Sequence, residues 1–204
     1  MTSTRQKIRS QRKRTTPGTT PPVVAVFGAA FLPEASPAYR TALDLGGMLA
    51  RRGWTVASGG FGGAMEAVSR GAAEAGGHTV GVTCETMRRA GRRTNSWIQE
   101  EIRCPTARER LVTLVRMADA AVALDGGIGT LSEIAFCATQ IQTGELSPRP
   151  LLLMGSVWRV TFQSFFCSAT GYVKDSDKAL MDFISSPEEA VRIIQEHLGQ
   201  ADLS

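Results

Sequence analysis

The sequence predicts a single α/β domain built on a doubly wound, Rossmann-like parallel sheet. Short apolar runs, typical of strands buried on both faces, alternate with helical patterns from residue 22 onward. Two of these runs end in glycine-rich clusters, at residues 58–63 and 125–130. The chain has 204 residues, 43% of them hydrophobic, which is enough for one core between two helical layers.

The first part of the chain supplies three strands and the helices between them. The run at 23–27 is apolar and rich in β-branched residues, so we predict a buried strand there. Further strands are predicted at 54–57 and 78–83. Helices are predicted near 37–52 and 64–75, and glycine follows each of them as a stop.

The middle of the chain is less regular. Four arginines fall between residues 88 and 93, and a strand is predicted around 98–103. The pattern becomes regular again with a helix at 106–117 and a strand at 120–124. The small apolar residues of that strand suit a buried position.

The last part of the chain continues the alternation. The second glycine-rich cluster leads into a helix, because Leu131, Ile134, Ala138 and Ile141 follow it at helical spacing. We also predict strands at 150–154 and 179–184, a helix at 156–169, and a final helix that opens at Ser186 with Pro187 and two acidic residues in its first turn.

Strands that alternate with helices pair in parallel through crossover connections, which gives the doubly wound sheet. Ligands of such sheets bind beyond the carboxyl ends of the strands. Both glycine-rich clusters lie at such ends, so we expect the functional site there. We call residues 58–63 the first glycine loop and residues 125–130 the second glycine loop.

Basic residues are concentrated at the N-terminus. Six of the 23 Lys and Arg side chains and no acidic ones fall in residues 1–21, which leaves 17 basic and 19 acidic side chains elsewhere. We therefore predict a disordered, solvated tail at 1–21 and a Rossmann-like nucleotide-binding domain at 22–204. The slightly acidic domain argues against nucleic-acid binding. No run reaches the roughly 20 apolar residues of a membrane helix.

Cysteine usage points to an intracellular protein without a metal. The four cysteines contain no C-x-x-C pair, and the chain has only two histidines, so zinc-ligand spacing is absent. We expect reduced cysteines and a cytoplasmic location.

The domain has only two lysines, Lys174 and Lys178, and both lie in a polar stretch. This argues against a pyridoxal-phosphate enzyme, which needs a buried lysine in its site, and we expect no cofactor.

The two glycine loops share one physical logic. Glycine lets backbone N–H groups approach an anion closely, and the following helix presents free amides and the positive end of its dipole. Either loop alone could be a packing turn, but two in one small domain, one ending in Gly129-Thr130, favour a phosphate site. Neither loop matches the dinucleotide pattern G-x-G-x-x-G or the Walker pattern.

Two charged residues are candidates for chemistry. Glu133 lies three residues after Thr130, so both project from one helix face near the phosphate end. Glu133 could be a solvated first-turn acid or could point into a pocket, and we favour the pocket. Arg110 shares a helical face with Leu114 and Met117 and either reaches solvent or points into the site. Spacing alone does not decide between these two positions.

These residues resemble a known family. The segment from Ala107-Arg-Glu-Arg110 to Asp125-Gly-Gly-Ile-Gly-Thr-Leu-Ser-Glu133 is similar to the Lonely Guy (LOG) family of cytokinin-activating phosphoribohydrolases. The hallmark of that family is P-G-G-x-G-T-x-x-E, preceded by a helix with an E-R-K motif. Residues 58–66 resemble the family's G-G-G-x-x-G-L-M-G segment. The resemblance covers residues 23–198.

The resemblance implies an enzyme that hydrolyses the N-glycosidic bond of an AMP-type nucleoside 5′-monophosphate, often N6-modified, to free base and ribose 5-phosphate. It implies a homodimer and catalytic roles for Arg110 and Glu133. The implied phosphate- and nucleotide-binding residues are Gly28, Ser58, Gly59, Gly60, Gly63, Met65, Gly126, Gly127, Gly129 and Thr130.

Three departures from the family pattern favour a second hypothesis. Asp125 stands where the family has proline, Leu111 stands where it has lysine after the arginine, and Ala29-Ala30 replaces a frequent pair of serines. The chain also resembles the molybdenum-cofactor carrier proteins, which share the fold and the glycine loops but bind their ligand without cleaving it. The second hypothesis is therefore a non-catalytic carrier or sensor of a nucleotide or of the molybdenum cofactor.

Overall fold

The structure, a computed structural model, describes residues 20–201. The strands are β1 Val23–Phe27, β2 Thr55–Ser58, β3 Thr79–Cys84, β4 Glu100–Cys104, β5 Ala120–Ala123, β6 Leu151–Met154 and β7 Asp182–Ile184. The helices are α1 Pro37–Arg51, α2 Ala64–Glu74, α3 Glu85–Arg89, α4 Ala107–Met117, α5 Ile128–Gln142, α6 Ser156–Ser168, α7 Asp175–Lys178 and α8 Pro187–Ala201. Residues 1–19 of the predicted basic tail lie outside the described residues.

All seven described strands form one parallel sheet in the order β4-β3-β2-β1-β5-β6-β7. Strands β2, β3 and β4 lie in succession on one side of β1. Strands β5, β6 and β7 lie in succession on its other side. The predicted α/β class with a Rossmann-like parallel sheet is confirmed. In such sheets, the crevice beyond the strand ends where the order reverses is the usual ligand site, and here it lies between β1 and β5.

Helices cover both faces of this sheet. Helices α1, α2 and α8 pack on the face to which Val24 and Val26 of β1 point. Helices α4, α5 and α6 pack on the opposite face, with Val23, Ala25 and Phe27. Successive side chains of an extended strand point to opposite faces. Because both faces are covered, both sets are apolar, which explains the continuous apolar run in the sequence.

The predicted strands and long helices are present, with ends that shift by a few residues. The sequence pattern does not predict α3 and α7, because helices of five and four residues are too short to show a helical period. Helix α5 begins at Ile128, inside the second glycine loop. Within residues 20–201, no helix is long and apolar enough to cross a membrane.

Candidate active site

A cleft of about 210 Å³ opens at the carboxyl ends of the central strands. Of the residues predicted for the site, the ones that line this cleft are Gly28, Gly59, Met65, Arg110, Gly127, Gly129, Thr130 and Glu133. The others lie in the two glycine loops without bordering the cleft: Ser58, Gly60, Gly63 and Gly126. The fold therefore brings both loops and both charged candidates to one place.

Arg110 points into the protein rather than to solvent. The start of its helix α4 is fixed by Thr106 and Glu109, whose side chains each accept the other's backbone N–H. The Nε of Arg110 donates to the carbonyl of Val82 in β3 at 2.8 Å, and its guanidinium lies 5.9 Å from the ring centre of Phe61. Arg110 is 8% exposed, which decides between the two positions that spacing left open.

Glu133 is the ion-pair partner of Arg110. Nη1 of Arg110 donates to Oε1 of Glu133 at 3.3 Å, and both side chains are buried. Burial disfavours the ionised form and raises the pKa of Glu133 to about 6, while the charge and hydrogen bond of Arg110 act in the opposite direction. At neutral pH, Glu133 is thus a carboxylate in a poorly solvated position. Such perturbed groups in clefts are typical of functional sites.

The first glycine loop is shaped by contacts within the protein. A Cβ added to Gly59 would lie 1.6 Å from Nη2 of Arg110. Gly60 and Gly63 have φ values of +74° and +68°, which residues other than glycine rarely adopt. The hydroxyl of Ser58 accepts the N–H of Gly60 at 3.1 Å. These glycines are therefore explained without any ligand, because they leave room for Arg110 and let the chain turn.

The second glycine loop is open on its cleft side. Gly127 and Gly129 are exposed, and a Cβ added to either would meet nothing within 4 Å. Helix α5 begins at Ile128, and no described side chain caps its first amides. Thr130, in contrast, is buried against Gly126, where an added Cβ would lie 2.2 Å from its Oγ1. The loop thus offers uncapped amides at the positive end of a 15-residue helix, which is an arrangement that binds anions.

Asp125, which stands where the LOG family has proline, is directed at α6. Its Oδ1 accepts the N–H of Val157 in the first turn of α6 at 3.2 Å, and a Cβ added to Gly155 would lie 2.0 Å from the same oxygen. Asp125 borders a second cavity of about 410 Å³ and not the cleft. Burial raises the pKa of Asp125, and the bond to Val157 lowers it. The carboxylate therefore caps α6 rather than facing an anion in the cleft.

Sequence reasoning did not identify Phe61, Met87 and Arg92, which also line the cleft. Met87 and Arg92 belong to the irregular segment after β3. The cluster of arginines is visible in the sequence, but no spacing connects one of them to the cleft. Among the described residues, no group of three His, Cys, Asp or Glu side chains is placed to hold a metal ion.

One family model matches this chain, and two proteins are similar to it in sequence. The profile of the SLOG cluster4 family (LDcluster4) matches residues 21–143. An uncharacterized protein of Archaeoglobus fulgidus is 34% identical over 112 residues, which make up 55% of this chain and 70% of that protein. A probable cytokinin riboside 5′-monophosphate phosphoribohydrolase of Oryza sativa subsp. japonica is 31% identical over 152 residues. That match covers 72% of this chain but only 65% of the rice protein, just under two thirds of its length.

A solved structure of a molybdenum-cofactor (Moco) carrier protein from Chlamydomonas reinhardtii is similar in fold. It has a TM-score of 0.65 and 25% sequence identity, and the match covers 89% of this chain and 99% of that protein. The resemblance to LOG-like proteins and to molybdenum-cofactor carriers that the sequence predicts is confirmed.

Proposed function

Because the family match covers more than half of the chain, the protein belongs to the SLOG cluster4 family, and on that premise we propose that it is a nucleoside 5′-monophosphate phosphoribohydrolase. The rice relative carries the name of such an enzyme. In the proposed reaction, the bond between C1′ and the base nitrogen breaks, and its electron pair leaves with the base. Water supplies the oxygen that bonds to C1′ and the proton that the base gains. The products are free base and ribose 5-phosphate.

The buried ion pair of Arg110 and Glu133 is the observation that carries this proposal. Removing two charges from water is unfavourable, and a buried pair often contributes no more to stability than apolar residues of similar size. Both side chains line a cleft that ends at the uncapped amides of α5. Charges kept in such a position support a role in binding or chemistry rather than in folding.

Glu133 acts on the sugar in this mechanism. Departure of the base leaves positive charge on C1′ and the ring oxygen, and a carboxylate in a poorly solvated site stabilises that charge effectively. The same carboxylate can accept a proton from the attacking water. Since burial raises its pKa to about 6, Glu133 is ionised at neutral pH and is still basic enough to take this proton.

Arg110 positions Glu133 and faces the leaving base. Its Nε donates to Val82 and its Nη1 donates to Glu133. Its Nη2 has only a weak contact, at 3.7 Å, with the sulfur of Met65. The N–H groups of Nη2 are therefore the ones free to donate to a base nitrogen, which becomes more negative as the bond breaks.

The second glycine loop binds the 5′-phosphate in this proposal. The backbone around Gly127 and Gly129 is accessible from the cleft, and the dipole of α5 favours negative charge there. Binding energy from a phosphate remote from the broken bond can be used to lower the barrier of the chemical step. The first glycine loop, which leaves room for Arg110, then acts mainly on the charged pair.

A non-catalytic carrier is the second candidate function. The Moco carrier shares the fold at 25% identity, and Leu111 and Ala29-Ala30 depart from the LOG pattern. In a carrier, the same amides would hold the phosphate of the bound cofactor, and Glu133 would be a binding group. Asp125 does not favour the carrier, because its carboxylate caps α6.

Release of free base distinguishes the enzyme from the carrier. Pure protein is incubated with AMP, N6-modified AMPs and other nucleoside 5′-monophosphates, and the free base is measured by chromatography. We expect base and ribose 5-phosphate in equal amounts from at least one of them. Tight binding of a nucleotide without base release from any of them would replace the enzyme with the carrier.

We also propose that residues 22–204 act as one nucleotide-binding domain and that the chain forms a homodimer, as the LOG resemblance implies. Light scattering at micromolar concentration should then give twice the mass of one chain. A monomer mass would contradict the dimer and would leave the proposed reaction untouched.

A further inference from the structure

One cation in the cleft has no partner in the described part of the chain. Arg92 lines the cleft beside Met87. Its guanidinium forms no hydrogen bond or ion pair with any residue from 20 to 201, whereas the guanidinium of Arg110 is bound by Glu133. Arg92, an exposed residue that borders the cleft, therefore offers its whole guanidinium to a ligand, whereas Arg110 offers mainly its Nη2.

The backbone around Arg92 is held in place on both sides. On the N-terminal side, Nη1 of Arg88 donates to Oε1 of Glu101 at 3.1 Å. On the C-terminal side, the hydroxyl of Thr94 donates to the same oxygen at 2.6 Å. The backbone N–H of Asn95 also donates to the carbonyl of Gly60 at 2.9 Å. These contacts hold the segment against β4 and the first glycine loop, so the backbone of Arg92 stays beside the cleft while its side chain is exposed.

Sheet topology separates Arg92 from the proposed phosphate site. Asn95 of its segment contacts Gly60, which follows β2, and the second glycine loop follows β5, two strand spacings away in the sheet order. Neighbouring strands are about 4.8 Å apart, so the backbones of the two segments are separated by roughly 10 Å. The pair of Arg110 and Glu133 lines the cleft between them. A nucleotide bound with its phosphate at the second loop and its sugar at Glu133 therefore presents its base toward Arg92.

We infer that Arg92 recognises the acceptor edge of a 6-oxopurine base, so that the preferred substrates are nucleotides of the inosine or guanosine type. A guanidinium donates to O6 and N7 of such a base, whereas adenine offers N7 beside the N6 amine, which is itself a donor. This inference rests on the proposed function and names its substrate class.

The other side chains at this end of the cleft agree with that preference. Phe61, Met65 and Met87 offer apolar and sulfur surface. The nearby amide of Asn95 is already used, because its Nδ2 donates to the carbonyl of Phe61 and its Oδ1 accepts the N–H of Trp97. Among the described residues that line the cleft, only Thr130 and Glu133 carry side-chain oxygens, and the proposal assigns these to the phosphate end and to the sugar.

The test compares inosine 5′-monophosphate with AMP, which differ at the 6-position edge, in the wild type and in Arg92→Gln. Wild type should favour inosine 5′-monophosphate by about tenfold in kcat/KM, or in Kd if no turnover is found. Glutamine pairs with N6 and N7 of adenine, so Arg92→Gln should reduce or reverse this ratio. Arg93→Gln is the matched control, because Arg93 is an exposed neighbour that does not line the cleft, and it should keep the wild-type ratio.

Ribose 5-phosphate, which has no base, completes the test. Its affinity should be the same in wild type and Arg92→Gln, because Arg92 contacts the base. A weaker affinity in the variant would place Arg92 on the phosphate and overturn the inference, as would an unchanged ratio of the two nucleotides. Failure of the proposed function has a different signature, namely no binding of ribose 5-phosphate or no base release by the wild type.

Discussion

The two glycine loops are alike in composition and differ in what surrounds them. The glycines at 59, 60 and 63 of the first loop are explained by Arg110 or by a positive φ. Gly127 and Gly129 of the second loop have no positive φ and no neighbour within 4 Å of an added Cβ. The first amide of α2, after the first loop, donates to the carbonyl of Ala29 at 2.8 Å. Helix α5, after the second loop, has no side-chain cap among the described residues.

This difference shows how two equal-looking patterns acquire different tasks. A glycine is needed where the protein's own atoms or an unusual φ exclude a side chain, and it is also needed where a ligand must approach the backbone. The first loop meets the first condition, and the second loop fits the second. In our proposal the first loop therefore positions the charged pair, and the second loop holds the phosphate.

Removal of the charge on Glu133 should have the largest effect. Glu133→Gln keeps the size of the side chain but loses the charge that matters as the bond breaks, so kcat should fall by about a hundredfold or more. Affinity for ribose 5-phosphate should change little, because phosphate binding belongs to the second loop. Turnover by base-release assay and Kd by calorimetry measure the two effects separately.

The pH profile provides the control for this substitution. The pKa of Glu133 is raised to about 6, so the carboxylate form is lost as the pH falls through that value. Wild-type kcat should therefore decrease below about pH 6, and the residual activity of Glu133→Gln should lack this decrease. A variant that binds more weakly but keeps its turnover would make Glu133 a binding group and contradict the assignment.

A side chain at position 59 should reduce turnover, by displacing Arg110 from its ion pair with Glu133, more than it reduces the stability of the fold. The Cβ of Gly59→Ala would lie 1.6 Å from Nη2 of Arg110 and 2.5 Å from the sulfur of Met65. Both atoms are at the far ends of flexible side chains, so they can move aside. We expect this overpacking to lower the free energy of unfolding by about 1–3 kcal/mol. We expect urea unfolding to show that modest loss and turnover to fall by about tenfold or more, since Arg110 no longer fits. Normal turnover in a folded variant would show that the position of Arg110 is not critical.

The fold was predictable wherever burial on both faces produced an unbroken apolar run, as at β1. The edge strand β4 was less clear, because its residues Glu100, Glu101 and Arg103 are only partly covered and keep a polar sequence. It begins at Glu100 rather than near Ile98. Helices α3 and α7 were not predictable, since neither is long enough to show a helical period.

The residues of the candidate site also differed in how far the sequence alone could place them. The proximity of Glu133 to the phosphate end followed from helical spacing after Thr130. The burial of Arg110 did not, because its direction depends on Val82 in a distant strand. Arg92 could not be connected to the cleft at all, since its place depends on contacts of neighbouring residues with Glu101 and the first glycine loop.

The affinity for ribose 5-phosphate of matched alanine variants in the two loops tests the central claim most directly. Gly129→Ala adds a methyl group that meets no described protein atom within 4 Å, so only a ligand would contact it. The methyl group should keep the phosphate away from one backbone amide. Calorimetry should then give about tenfold weaker binding, the scale of one lost hydrogen bond to a charged group. The stability of this variant should be unchanged or higher, because alanine favours a helix over glycine. Gly62→Ala in the first loop meets only ordinary contacts at 3.6 and 3.9 Å and should bind as the wild type does. Equal losses in both variants, or full affinity in Gly129→Ala, would contradict the division between the two loops.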